Sequence, residues 1–209
     1  MSDHVPQIPY ATELKRKAIH LGALVLPASI LVLPRPLVLG ALTALAVLAV
    51  ALDVAQQKVP AVRRVLIDRA FGWMMRPEEL GTGGRIVFNG AVWMFLAAAA
   101  CAWLFPPGVA AASLAMLMVG DGAAAVVGRR FGRTRWPGSP KSVEGSAAYA
   151  LTAFAVGAAI AAWPPAELGL VACAVGAVVG AAVEALPIPV NDNVRVPLVV
   201  GLAMVAVGA

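Results

Sequence analysis

"GVAAASLAMLMVGDGAAAVVGRR", residues 108–130, is an apolar run interrupted by one acid, Asp121, and closed by two arginines. Crossing about 30 Å of hydrocarbon takes roughly 17 to 25 helical residues, and the stretch 108–128 has that length. Comparable runs fall near 18–34, 36–52, 87–105, 143–163, 166–186 and 194–208. The expected fold is therefore an all-α integral membrane protein of about seven transmembrane helices, forming a single domain over 1–209 with a cytoplasmic segment at 1–17. Turn chemistry separates the runs: Pro34-Arg35-Pro36, Pro106-Pro107-Gly108, Pro164-Pro165 and Pro187-Ile188-Pro189 remove backbone donors and force extended chain. Composition agrees, since a chain that is 61% hydrophobic and 13% charged lies well outside the range of soluble domains. Cys101 and Cys173 each sit mid-run among small apolar residues, which excludes a disulfide framework and leaves both as core.

The charges give the chain a direction. Lys15, Arg16 and Lys17 precede the first run; Lys58, Arg63, Arg64, Arg69, Arg76 and Arg85 separate the second from the third; Arg129, Arg130, Arg133, Arg135 and Lys141 separate the fourth from the fifth; Arg195 opens the last. All of these fall on one side of a seven-span bundle and only Arg35 on the other, so the N-terminus is expected in the cytoplasm of an inner-membrane protein. Ten of the eleven acids share that side, Glu167 being the exception, which puts the expected chemistry at the cytoplasmic face. The polar first twenty residues do not read as a cleavable signal. At about 60–75, "PAVRRVLIDRAFGWMM" places Val62, Val65, Leu66, Trp73 and Met74 on one helical face, as an interfacial amphipathic helix does; a surface helix packed on the bundle reads equally well.

Four stretches carry candidate chemistry. If 108–130 stays helical, Ala125, Gly128 and Gly132 follow Asp121 along one face, making a carboxylate at the head of a nearly side-chain-free groove. At 1.5 Å per residue Asp121 lies roughly 12 Å below Arg129 and Arg130. Close packing of helices through small residues accounts for the glycines as readily as a groove does, but not for an acid at that depth. In "GSPKSVEGS", 138–146, Ser142 reads as a helix N-cap with Lys141 just before it, an anion-binding arrangement; Glu144 reads as a first-turn acid or a site residue. In "EALPIPVNDNVRVP", 184–197, Glu184, Asp192 and Asn193 offer oxygen ligands suited to a hard ion such as Mg²⁺, or an Asn/Asp turn that caps a helix. In "ELKRKAIH", 13–20, Glu13, Arg16, Lys17 and His20 share one helical stripe, more than a topology signal needs. Together these groups equip a metal-assisted phosphoryl or nucleotidyl transfer, with a lipid as the second substrate; no P-loop or protein-kinase signature is present.

"GDGAAAVVGRRFG" followed by "SPKSVEGS" resembles the CTP-dependent membrane lipid kinases, namely dolichol kinase, phytol kinase and the CTP-dependent diacylglycerol kinase. The same region is similar to phosphatidate cytidylyltransferase. "ELKRKAIH" and "EALPIPVNDNVRVPL" match the kinase pattern at the two ends, and Ser142 stands where the cytidylyltransferase carries a second lysine. "NGAV" at 89–92 is looser than the Gly-Thr stretch expected there, a place "TGG" at 82–84 could fill. The resemblance implies CTP bound around Asp121, Gly122, Gly128, Lys141, Ser142, Glu144 and Gly145, with Arg129, Arg130 and Lys17 on the phosphates. It implies Mg²⁺ near Asp121 and Asp192, Glu184 and Asn193 being further oxygen donors, and catalytic roles for Asp121, Asp192, Lys141 and His20, supported by Glu13 and Arg16.

The expectation is a CTP-dependent kinase that phosphorylates a polyprenol, a phytol-like alcohol or diacylglycerol, with no nucleic-acid partner. A cytidylyltransferase and a small non-enzymatic transporter are the alternatives. The choice of lipid stays open, and so does the oligomeric state, a homo-oligomer included.

Overall fold

The computed structural model describes residues 19, 21–72 and 86–209. Glu13, Arg16, Lys17 and His20 lie outside them, as do Trp73, Met74 and "TGG" at 82–84.

Seven apolar helices form where the seven apolar runs lie: α1 Val25–Val32, α2 Arg35–Lys58, α4 Gly90–Leu104, α5 Pro107–Phe131, α6 Val143–Ala161, α7 Leu170–Ala185 and α8 Asp192–Ala206. Three of them, α2, α5 and α6, are long and apolar enough to cross a membrane; α4 and α7 are apolar but shorter. Among the described residues there is no strand beyond an isolated bridge between Arg135 and Ser142. Large apolar side chains cover the outside, Leu151 being 72% exposed and Val171 70%. Water does not tolerate so much contiguous apolar surface, and this is the exterior of a membrane protein.

The first run is not one continuous helix. Leu24 N–H donates to Leu21 O at 3.0 Å and Leu26 N–H to Ala23 O at 2.9 Å, tight turns that precede the regular helix. Pro27 has no N–H to offer Ala23, so Leu26 takes that carbonyl and the pitch breaks. Helix α2 runs past its expected end at 52, which makes Asp53 and Gln56 helical and buried. The segment expected at 60–75 is a helix, α3, but a wider one: Pro60–Arg63 is α-helical and Arg64–Phe71 π-helical. Its pitch differs from the one assumed for the apolar face, so Ile67 is buried while Val65 stands 54% exposed.

Helix α5 is the axis of the bundle and packs against α1, α4, α6, α7 and α8. Alanines and glycines make that possible, Ala110, Ala111 and Ala112 being fully buried. The C-terminal ends of α2, α5 and α7 and the N-terminal ends of α4, α6 and α8 meet at one end of the bundle. Side chain pairs across them fix this: Asp53 with Asn89, Lys141 with Glu184, and Asn193 with Gly90.

Candidate functional site

Lys141 stands at the centre of that end. It is held in place by the return of the chain between α5 and α6, a short strap folded onto the start of α6. Trp136 N–H donates to Lys141 O at 3.1 Å, and Val143 N–H to Thr134 O at 2.9 Å. The Trp136 indole N–H donates to Ser146 Oγ at 2.9 Å, and Arg135 donates to Pro140 O. Glu144 completes the clamp by accepting the Thr134 N–H at 3.1 Å, so its carboxylate fastens the strap.

The Lys141 ammonium donates to Glu184 Oε1 and lies 3.9 Å from Asp192 Oδ2. Burial alone would push the ammonium down, but the Glu184 carboxylate, with Asp121 and Asp192 behind it, outweighs burial and holds it above the ordinary lysine value. Lys141 is therefore a firm cation ringed by three acids from three different helices. Asp192 is fixed in turn by Arg195, one turn along α8, whose guanidinium donates to Asp192 Oδ1, to Leu186 O at 3.2 Å and to Ile188 O at 3.4 Å. Within this cluster the three carboxylates outnumber the two cations, Lys141 and Arg195, by one, while Arg129 and Arg130 add positive charge at the same end.

The open groove expected beside Asp121 is not there. A Cβ added to Gly128 would lie 3.0 Å from Ser142 Oγ, and one added to Gly145 would lie 3.0 Å from Ala124 O and 3.4 Å from Gly128 Cα. Gly128 and Gly145 let α5 and α6 cross in near backbone contact, as small residues do in membrane bundles. Ser142 caps α6 as expected, accepting the Gly145 N–H at 3.1 Å, and is buried in doing so. Gly122 is different: a Cβ there would meet nothing within 4 Å, so the face of α5 next to Asp121 stays open. Arg129 and Arg130 end α5 on the exposed surface, Arg130 lying 5.5 Å over the Phe131 ring. Asn193 does not join the acids, because its amide donates to Gly90 O at 3.2 Å and ties α8 to α4.

Asp121, Glu184 and Asp192 supply only carboxylate oxygens, the donor type that magnesium prefers. Among the described residues no three acid, histidine or cysteine side chains form a group able to hold a metal by themselves. A magnesium ion here would need oxygens from a bound phosphate to complete its shell, since the protein offers no cage of its own among the described residues.

Sequence reasoning missed three residues at this end. Asp53, on α2, is buried and accepts from the Asn89 amide at 2.7 Å, the Asn89 N–H at 3.1 Å and the Gln56 amide at 3.2 Å. Asn89 in turn accepts from the Ala91 and Val92 N–H groups, so Asp53 positions the cap of α4. Arg195, read only as a topology charge, is the residue that orients Asp192. Tyr149 lies fully buried on α6, its ring between Gly120 of α5 and Gly180 of α7. The signals were slight: an acid before two glutamines, an arginine three residues after an acid, a lone tyrosine in an alanine run.

No known protein family model matches the chain, and no solved structure matches it. It is 26% identical over 188 residues to an uncharacterized protein of Rickettsia prowazekii, covering 89% of this chain and 90% of that one. Over 40 residues it is 45% identical to dolichol kinase of Saccharomyces cerevisiae, a stretch that makes up 19% of this chain and 8% of that protein. A short likeness to a lipid kinase therefore accompanies a full-length likeness to a protein of similar size.

Proposed function

We propose that the chain is a CTP-dependent lipid-alcohol kinase of the inner membrane, with about seven crossings, a cytoplasmic N-terminus and its site at the cytoplasmic face. One observation carries the reading: Asp121, Lys141, Glu184 and Asp192, brought by four separate segments, converge at one end of an apolar bundle. The short likeness to dolichol kinase supports it.

In this reading the nucleotide phosphates lie over Gly122, where α5 is open, with Lys141 as the cation that meets them. Arg129 and Arg130 neutralise the outer phosphates, and Asp192, held by Arg195, faces the same charge. Asp192 and Asp121 would hold a magnesium ion, which would supply charge neutralisation during transfer. The lipid hydroxyl oxygen forms the new bond to the γ-phosphorus, the bond to the β–γ bridging oxygen breaks, CDP departs, and Asp121 takes the hydroxyl proton. Gly128, Ser142 and Gly145 contribute by holding the α5–α6 crossing that sets Lys141 against Asp121.

The test is CDP release by purified protein given CTP, Mg²⁺ and a panel of polyprenol, phytol-like alcohol and diacylglycerol. Asp121→Asn should lower the rate by about a hundredfold or more while the fold survives. No CDP with any acceptor, together with unchanged lipid phosphorylation in cells carrying Asp121→Asn, rejects the reading. Pyrophosphate release with consumption of phosphatidate would assign a cytidylyltransferase instead.

A further inference from the structure

Glu184 and Lys141 are unequally placed. The Glu184 side chain is 2% exposed and that of Lys141 34%. Among the described residues Lys141 is the one hydrogen-bond partner of Glu184. A lysine that turns outward to meet an anion leaves behind a buried carboxylate with nothing to donate to it, and an uncompensated buried charge is among the most costly arrangements in a protein. A second donor is needed within reach.

Tyr149 supplies it. Its hydroxyl is fully buried and has no hydrogen-bond partner among the described residues. The Tyr149 Oη lies 3.0 Å from where a Cβ on Gly180 would be, on α7 four residues before Glu184. Residues four apart share a helix face and helical side chains lean toward the N-terminus, so Glu184 rises from the same face of α7 that Gly180 presents to the tyrosine. Glycine at 180 leaves no side chain between them. Besides burial itself, the carboxylates of Asp121, then Glu184 and Asp192, act electrostatically on this hydroxyl.

We propose that Glu184 exchanges partners: it holds the Lys141 ammonium in the state described, and accepts the Tyr149 hydroxyl when Lys141 swings out to bind phosphate. Tyr149 is then a positioning residue that frees Lys141 without stranding a charge. The purpose of the exchange rests on the phosphate-binding reading of Lys141, but the exchange itself needs no nucleotide.

That independence sets the experiment. Removing the ammonium by Lys141→Met places Glu184 in the exchanged state permanently. Tyr149→Phe should change the melting temperature by about 1 °C or less in the wild-type background and lower it by about 3 °C or more in the Lys141→Met background. Equal shifts in both backgrounds overturn the proposal. Lys141→Ala, which likewise removes the donor, provides a second background if Lys141→Met does not fold. A direct reading comes from the chain's two tyrosines, Tyr10 and Tyr149. In a Tyr10→Phe protein, the ultraviolet resonance Raman doublet reports Tyr149 alone. It should read as a non-donor with Lys141 present and as a strong donor with Lys141→Met; the same reading in both overturns the exchange. Failure of the CTP assay would reject the kinase reading and leave these measurements standing.

Discussion

Replacing Asp53 by alanine tests whether the site end is held from beneath. Its carboxylate accepts three donors, and the side chain is 2% exposed. The Gln56 and Asn89 amides can turn toward other acceptors, but the Asn89 backbone N–H cannot. One stranded backbone donor costs about 1 to 3 kcal/mol, and losing the charge-assisted bond to the Asn89 amide costs about 1.5 to 3 kcal/mol more. A loss of about 2.5 to 6 kcal/mol follows, or roughly 5 to 24 °C in melting temperature at this chain length. Asp53→Asn keeps one acceptor oxygen and should cost about half as much. Cys101 and Cys173 are both buried, so a thiol-reactive dye reads the unfolding of detergent-solubilised protein directly. Because Asn89 caps α4 and Gly90 O holds Asn193 beside Asp192, the variant should also lower turnover about tenfold at a temperature where it remains folded. A shift of less than 2 °C for Asp53→Ala would show that the Asp53–Asn89 cluster holds nothing.

Three further outcomes are expected. Gly145→Ala brings a Cβ to 3.0 Å from Ala124 O and should destabilise by about 1 to 3 kcal/mol, whereas Gly122→Ala, with nothing within 4 Å, should leave the melting temperature unchanged. Gly122→Leu should raise the KM for CTP without lowering stability, since it fills the open face beside Asp121 and touches no packing; equal KM values would remove the nucleotide from that face. Lys141 has its folded-state pKa raised above the ordinary 10.5, so its contribution to stability is complete below that value and is lost as pH climbs through the folded value. Melting temperatures taken across that range should fall in the wild type and stay flatter in Lys141→Met.

The helices could be placed from sequence because hydropathy and proline pairs mark a membrane chain strongly: all seven apolar runs are helical. What each glycine faces could not be read. Gly122 and Gly128 belong to the same motif, yet one is open and the other is pressed against Ser142 of the next helix, and only the crossing of α5 and α6 decides between them. Lys141, Asp121, Glu184 and Asp192 were legible because charge in apolar sequence is costly and so stands out. Asp53 stood just beyond an apolar run among glutamines and read as the start of a loop; one more turn of α2 buries it. Asn193 and Arg195 differ from Asp192 by one and three positions, and only the helix start at Asn191 determines that Asn193 turns to α4 while Arg195 turns to Asp192. Tyr149 carries no charge and sits in an alanine run, so its hydroxyl gave no sequence signal.

The alanine packing around α5 limits what can enter the molecule. Among the described residues Ala97, Ala98, Ala110, Ala111 and Ala112 are fully buried, and the core they line leaves no room beside them for an acyl or prenyl tail. For the proposed kinase, a lipid would then reach the charged end sideways, its tail left among the surrounding lipids against the leucines and valines of the outer surface. Tail length would go unmeasured in that reading, and discrimination would fall on the few atoms next to the hydroxyl.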